Sequence, residues 1–171
     1  AGFHQRLEPP MAGANSETEL MQALRSFRRR EMVRIAIRDL AGWSGLHETV
    51  ADLSALADAC LDQALDRLYA WGSDRHGKPV SPDGEPQRLV VIGMGKLGGE
   101  ELNFSSDIDL IFAYDRPGKT EGGTTAITNE DFFVRLCRNL IRTLGEKGAD
   151  GLVFRVDMRL RPDGENGPLV M

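Results

Sequence analysis

The chain has 171 residues, enough for one domain with a sizeable core or for a small domain preceded by a helical arm. Hydrophobic residues make up 41 % and charged residues 27 %, an ordinary balance for a soluble globular protein. The net charge of −5 argues against a chain that binds nucleic acid through its overall charge, so any phosphate-handling site must find positive charge locally, on arginines or a metal.

Residues 1–15 contain Pro9-Pro10 and Gly13 and read as a loose lead-in. Ser16 with Glu19 forms a capping-box pattern that should open a helix running to about Leu40. Its basic sector, Arg25, Arg28, Arg29, Arg30, Arg34 and Arg38, is either a solvated face or a surface for a partner or phosphate. Val50, Leu53, Ala57, Leu61, Ala64 and Leu68 recur at helical spacing and predict a second helix over about Glu48 to Trp71. Together these make a helical arm over 16–72. Residues 73–88 are rich in Gly, Pro, Asp and Ser and read as a linker loop.

The core is expected over 89–171. Leu89 to Ile92 reads as a short buried strand, and Gly93 to Asn103 as a glycine-rich turn with one short helix. Asp107 to Tyr114 is a second strand and Asp115 to Ile127 a mobile loop. Thr128 with Asp131 opens another helix, with Phe132, Leu136, Leu140, Ile141 and Leu144 as its core stripe. Leu152 to Leu160 is a third strand, followed by an Arg161-Pro162-Asp163-Gly164 turn. Pro168 to Met171 reads as the start of a further strand, which suggests a core cut short at the C-terminus.

Cys60 and Cys137 fall within apolar helical patterns without zinc spacing, so buried free thiols are expected. No apolar run approaches the ~18–20 residues of a transmembrane helix, and no secretory signal is visible. These features point to a cytoplasmic protein that does not engage membranes.

Gly93-Met94-Gly95-Lys96-Leu97-Gly98 after a strand matches the dinucleotide fingerprint G-x-G-x-x-G. That fold needs a crossover of about a dozen residues or more before the next parallel strand, yet Asp107 follows Gly98 by only nine residues. A phosphate-binding Walker A loop fails as well, since Gly95-Lys96 precedes Leu97 rather than Ser or Thr. Two readings remain: a turn that merely packs closely, or one in which Gly98 and Gly99 open a short helix whose N–H groups hold phosphate.

The second reading draws on the acids downstream. Side chains alternate along a strand, so Asp107 and Asp109 share one face, about 7 Å apart, with Ile108, Leu110 and Phe112 on the other. In the third strand Arg155, Asp157, Arg159 and Arg161 share a face opposite Phe154, Val156, Met158 and Leu160. If those strands are neighbours, Asp157 joins Asp107 and Asp109 amid arginines. Such a cluster suits metal-assisted phosphoryl or nucleotidyl transfer, with two metals roughly 3.5–4 Å apart and arginines gripping phosphate oxygens. The competing reading is salt bridging between neighbouring strands. Arg155, Arg159 and Arg161 stand between substrate contact and structural pairing, and Ser105 and Ser106 between capping the strand entry and touching phosphate.

Gly93-Met94-Gly95-Lys96-Leu97-Gly98-Gly99, Asn103-Phe104-Ser105-Ser106-Asp107-Ile108-Asp109-Leu110 and Arg155-Val156-Asp157-Met158-Arg159-Leu160-Arg161-Pro162 together resemble the bacterial glutamine synthetase adenylyltransferase family. The resemblance continues through Gly164 to Val170 and upstream through Phe27 to Glu31 and Leu53 to Cys60, covering about 16–171. It implies an α+β fold like the polymerase-β nucleotidyltransferases, a mixed sheet with helices on one side, preceded here by the arm. That family carries two nucleotidyltransferase halves in one chain. One adenylylates a tyrosine of glutamine synthetase using ATP; the other removes the AMP by phosphorolysis and releases ADP. Asn103-Phe104 and Met158 resemble the removing, N-terminal half. The adenylylating half, or a non-catalytic module of the same fold binding a signalling protein, are the alternatives.

The resemblance implies Mg2+, two ions held by Asp107, Asp109 and Asp157, with those acids as catalytic residues. It implies phosphate or nucleotide contacts at Gly98, Gly99, Ser106, Arg159 and Arg161. The implied partners are glutamine synthetase and the PII signal protein.

Overall fold

A computed structural model describes residues 2–171, the side chain of Glu165 aside. The chain begins with helix α1 (Phe3–Ala12), which corrects the loose lead-in expected over 1–15. Pro9 and Pro10 lie inside it, each removing a backbone donor at ~3 kcal/mol in a helix interior. Burial offsets this: Phe3, Leu7 and Met11, spaced i, i+4, i+8, are all buried, and such side chains contribute roughly 1.5–3 kcal/mol each. Glu31 of the next helix is also buried and accepts hydrogen bonds from Arg6 of α1 at 3.2 Å and from Arg34 at 2.7 Å.

Helices α2 (Glu17–Leu40) and α3 (Leu46–His76) form the expected hairpin, although α3 runs on past Trp71. Ser16 caps α2 by accepting from the Glu19 N–H at 3.3 Å. The basic sector of α2 is largely paired with other parts of the chain, while Arg29 and Arg30 stay exposed. Arg38 pairs with Glu48 and Asp52, and Arg34 reaches Asp52. Arg29 pairs with Asp150, Arg25 donates to the Glu146 carbonyl, and Arg28 lies 5.6 Å over the Phe154 ring. These cations fasten α2 to α3 and to the segment after the last helix. No helix among the described residues is long and apolar enough to cross a membrane.

Then follow β1 (Gly77–Val80), β2 (Val90–Met94), α4 (Gly95–Gly98), β3 (Ile108–Ala113), β4 (Lys119–Gly122), α5 (Asn129–Gly145) and β5 (Val156–Asp157). Strands β1 and β4 pair antiparallel, so parts of the expected linker and loop are joined in a ladder. Gly118 sits at the entry to β4, where a Cβ would lie 2.0 Å from the Val80 carbonyl oxygen, so only glycine permits that approach. The other sheet has the order β2-β3-β5, with β2 antiparallel and β5 parallel to β3. It is a mixed sheet in an α+β fold.

Ile108, Leu110 and Phe112 of β3 are fully buried. They belong to one apolar cluster that includes Phe133, Leu136, Leu140 and Leu144 of α5 and residues of all three long helices. Thr128 caps α5, its Oγ1 accepting from the Asp131 N–H at 3.0 Å. Cys60 and Cys137 are buried free thiols, as expected, and burial pushes both up to about 12. The buried strand expected at Leu89–Ile92 is corrected in part: Leu89 is buried, but Val90 and Ile92 are exposed on the open face of an edge strand.

The third strand is far shorter than Leu152–Leu160. Before it, the Val153 and Phe154 N–H groups both donate to the Leu144 carbonyl at 3.0 Å, holding that segment on the end of α5. After it, the Arg159 N–H donates to the Asp157 carboxylate at 2.8 Å and turns the chain away, leaving Leu160 exposed. The chain returns to β3 at Met171, whose N–H donates to the Phe112 carbonyl and whose carbonyl accepts from the Tyr114 N–H.

Candidate functional site

Ladder register decides which charges meet. Asp109 lies between Met94 of β2 and Asp157 of β5, its direct partner across the parallel pair. Continuing that register by two residues sets Arg155 beside Asp107, and the two form an ion pair. Arg155 also donates to the Ser105 carbonyl at 3.0 Å. Asp157 has 14 % of its side chain exposed. It accepts from the Arg159 Nε at 2.8 Å and from the Arg159 backbone. These bonds hold the Asp157 carboxyl below the usual carboxylate range. The Asp109 carboxylate has neither a hydrogen bond nor an ion pair among the described residues. Like charges directly opposed across a ladder destabilise a sheet, so Asp109 facing Asp157 is a local cost to the fold.

The glycine segment packs against these acids. Gly95 has φ +54°, and a Cβ there would lie 2.8 Å from Asp109 Oδ2. At Gly98 a Cβ would come within 2.5 Å of the Gly93 carbonyl oxygen. The Gly99 N–H donates to the Gly95 carbonyl at 3.1 Å and closes the turn. Close packing therefore accounts for Gly98, and the Gly99 donor is used within the chain. Ser106 donates from Oγ to Asn103 Oδ1 at 2.7 Å and accepts from the Asn103 N–H at 3.3 Å, which makes it part of the strand entry.

Asp107, Asp157, Arg155, Arg159 and Arg161 line one open groove of about 670 Å³. Arg161 donates to the Met158 carbonyl at 2.8 Å. The groove offers carboxylate oxygens, the donors that hard divalent cations take, and guanidinium groups, which suit phosphate. Among the described residues no three carboxylate, imidazole or thiol groups are arranged around a common metal position. Strand register sets Asp157 directly beside Asp109, while Asp107 pairs with Arg155 and Asp157 with Arg159.

A family model described as "Glutamate-ammonia ligase adenylyltransferase" matches residues 2–171. The chain belongs to this family. It is 57 % identical over 169 residues to a protein of Nitrosococcus oceani named "Bifunctional glutamine synthetase adenylyltransferase/adenylyl-removing enzyme". That match covers 98 % of this chain and 17 % of the relative. Relatives of the same name are 55 % identical over 166 residues in Thioalkalivibrio sulfidiphilus and 51 % identical over 169 residues in Pseudomonas aeruginosa. They are covered to 97 % and 98 % of this chain, and to 17 % of their own length in each case. The chain thus spans about a sixth of the length of these curated relatives.

Within this adenylyltransferase-family chain the expected site residues divide by location. Asp107, Asp157, Arg159 and Arg161 share the groove. Asp109 borders it through the ladder, Gly98 and Gly99 lie in the turn behind Asp109, and Ser106 lies at the strand entry. Sequence reasoning missed Arg142 and Glu146, which bring the C-terminal end of α5 to the groove wall. The signal was available in part: Arg142 is the polar residue between Ile141 and Thr143 at the end of a helix whose core stripe was already assigned.

Proposed function

We propose that this chain is the metal-binding core of a nucleotidyltransferase that removes AMP from an adenylylated tyrosine of glutamine synthetase by phosphorolysis, releasing ADP. The observation that carries the reading is the opposed pair Asp109 and Asp157, next to an arginine-lined groove, in a chain of a family named for adenylyl transfer. The removing half is favoured by the resemblance carried by Asn103-Phe104 and Met158.

Asp107, Asp109 and Asp157 would hold magnesium; the donor set is all oxygen, and the unpartnered Asp109 carboxylate fits that role. Bound there, the ion would neutralise phosphate charge and orient the reacting groups. Arg159 and Arg161 would grip non-bridging phosphate oxygens, with Arg155 positioning Asp107. The attacking oxygen belongs to inorganic phosphate, already ionised, so no carboxylate needs to act as a strong base. A phosphate oxygen bonds to the AMP phosphorus, the bond from phosphorus to tyrosine oxygen breaks, and the hydrogen of HPO4²⁻ ends on the tyrosine.

The test is ADP release from adenylylated glutamine synthetase, phosphate and magnesium by a whole enzyme carrying this segment. Asp107→Asn or Asp109→Asn is expected to abolish release while the protein stays folded. Undiminished release in either variant would sink the assignment. Calorimetric titration of magnesium into the chain separates this reading from a purely binding module, which would give no metal-dependent heat.

A further inference from the structure

A second pocket, of about 440 Å³, lies between the last turns of α3 and the outer side of α5. Arg75, Arg135 and Arg138 line it, together with Trp71, Phe132 and His76. Its size falls within the ~300–1,000 Å³ typical of small-molecule sites. Among the described residues, every other arginine has a hydrogen bond, an ion pair or a ring contact. Arg75, Arg135 and Arg138 have none, and all three face the same cavity. The acid in the lining, Glu17, is already neutralised by an ion pair with Arg142. The pocket is therefore a concentration of unpaired positive charge in a chain of net charge −5.

Beside the charged groups the lining has an apolar and aromatic part, Leu68, Trp71, Phe132 and Leu136, together with the polar His76 and Asn139. A Cβ at Gly72 would lie 3.1 Å from the Phe132 ring, so glycine within α3 lets that ring pack close beneath the pocket. His76 also lines the pocket, with its Nδ1 buried behind the open surface. Guanidinium forks suit phosphate oxygens, and an indole face beside them suits a flat ring.

We propose that this pocket binds a phosphorylated ligand bearing a flat ring, of the nucleotide class, at a site separate from the acidic groove. The Glu17–Arg142 ion pair stands between the two, Glu17 lining this pocket and Arg142 the groove. The inference holds whether or not the acids bind metal.

Fluorescence of Trp71 tests it in a Trp43→Phe background, because exposed Trp43 would otherwise contribute. Adenosine diphosphate, without added metal, is expected to quench Trp71 saturably. Adenosine and inorganic phosphate alone should each bind at least tenfold more weakly. Arg135→Ala combined with Arg138→Ala should weaken adenosine diphosphate at least tenfold with an unchanged Tm, and Asp107→Asn with Asp157→Asn should leave the quench intact. No saturable quench, a quench that survives loss of the arginines, or one lost with the aspartates would overturn the proposal.

Discussion

Replacing Asp109 by Asn should stabilise the fold while removing metal binding. Asp109 and Asp157 are direct partners on neighbouring strands, which run about 4.8 Å apart. Two unit charges about 5 Å apart repel by ~0.8 kcal/mol at the permittivity of water and ~3 kcal/mol at an effective value of about 20. Arg159 on Asp157 cancels part of this, and partial exposure screens the rest, which leaves about 1 kcal/mol. For a domain of this size that corresponds to a rise in Tm of roughly 2–4 °C. Asn keeps the shape, so the space made by Gly95 still fits the side chain. The measurement is calorimetric melting of the chain and the Asp109→Asn variant, with and without magnesium. Magnesium should raise the Tm of the parent and not of the variant. A variant that melts below the parent in the absence of metal would refute the repulsion argument.

Three further outcomes can be checked by melting or labelling. Gly98→Ala, which sets a Cβ 2.5 Å from the Gly93 carbonyl oxygen, should cost about 1–3 kcal/mol through overpacking. Thr128→Ala should cost about 1 kcal/mol by removing the α5 cap, visible as a lower denaturant midpoint with an unchanged slope. Burial raises the Cys60 and Cys137 thiols to about 12, whereas unfolded thiols ionise near 8.5. The folded chain then keeps protons that the unfolded chain has lost. Stability from these groups is complete below about pH 8.5 and falls by ~1.4 kcal/mol per pH unit per thiol as pH rises toward 12. A Cys60→Ala, Cys137→Ala variant should show a correspondingly flatter decline, and thiol reagents at neutral pH should label the parent only as it unfolds.

The parts of the fold that were legible in the sequence are those whose signals are local. Ser16 and Thr128 cap the helices that their spacing predicts, and alternation in β3 separates Ile108, Leu110 and Phe112 from the acids. What was not legible depends on partners far along the chain. The α1 helix survives Pro9 and Pro10 because α2 and α3 bury its stripe, and propensity contains nothing of that packing. Strands β1 and β4 carry the sequences Gly-Lys-Pro-Val and Lys-Thr-Glu-Gly, with no hydrophobic alternation, and exist because each supplies the other's hydrogen bonds. The site follows the same division. Its acids could be read from alternation, but the groove wall contributed by Arg142 and Glu146 depends on where α5 ends relative to β5.

The shortness of β5 and the arrangement of the groove have one cause. An extended strand through Leu160 would carry Arg159 about 7 Å along the same face from Asp157, with its backbone N–H directed to the strand edge rather than back to the carboxylate. The chain instead turns after Asp157, and the Arg159 N–H and Nε both reach the carboxylate. The same turn exposes Leu160 and sends Arg161 back to the Met158 carbonyl, so the arginines cluster at the strand end rather than spreading along it. Strict alternation set Arg155 and Asp157 beside Asp107 and Asp109 and then overestimated how far the strand continued. An aspartate followed two residues later by arginine can close its own turn, and here that local closure competes successfully with the ladder hydrogen bonds a longer β5 would have made.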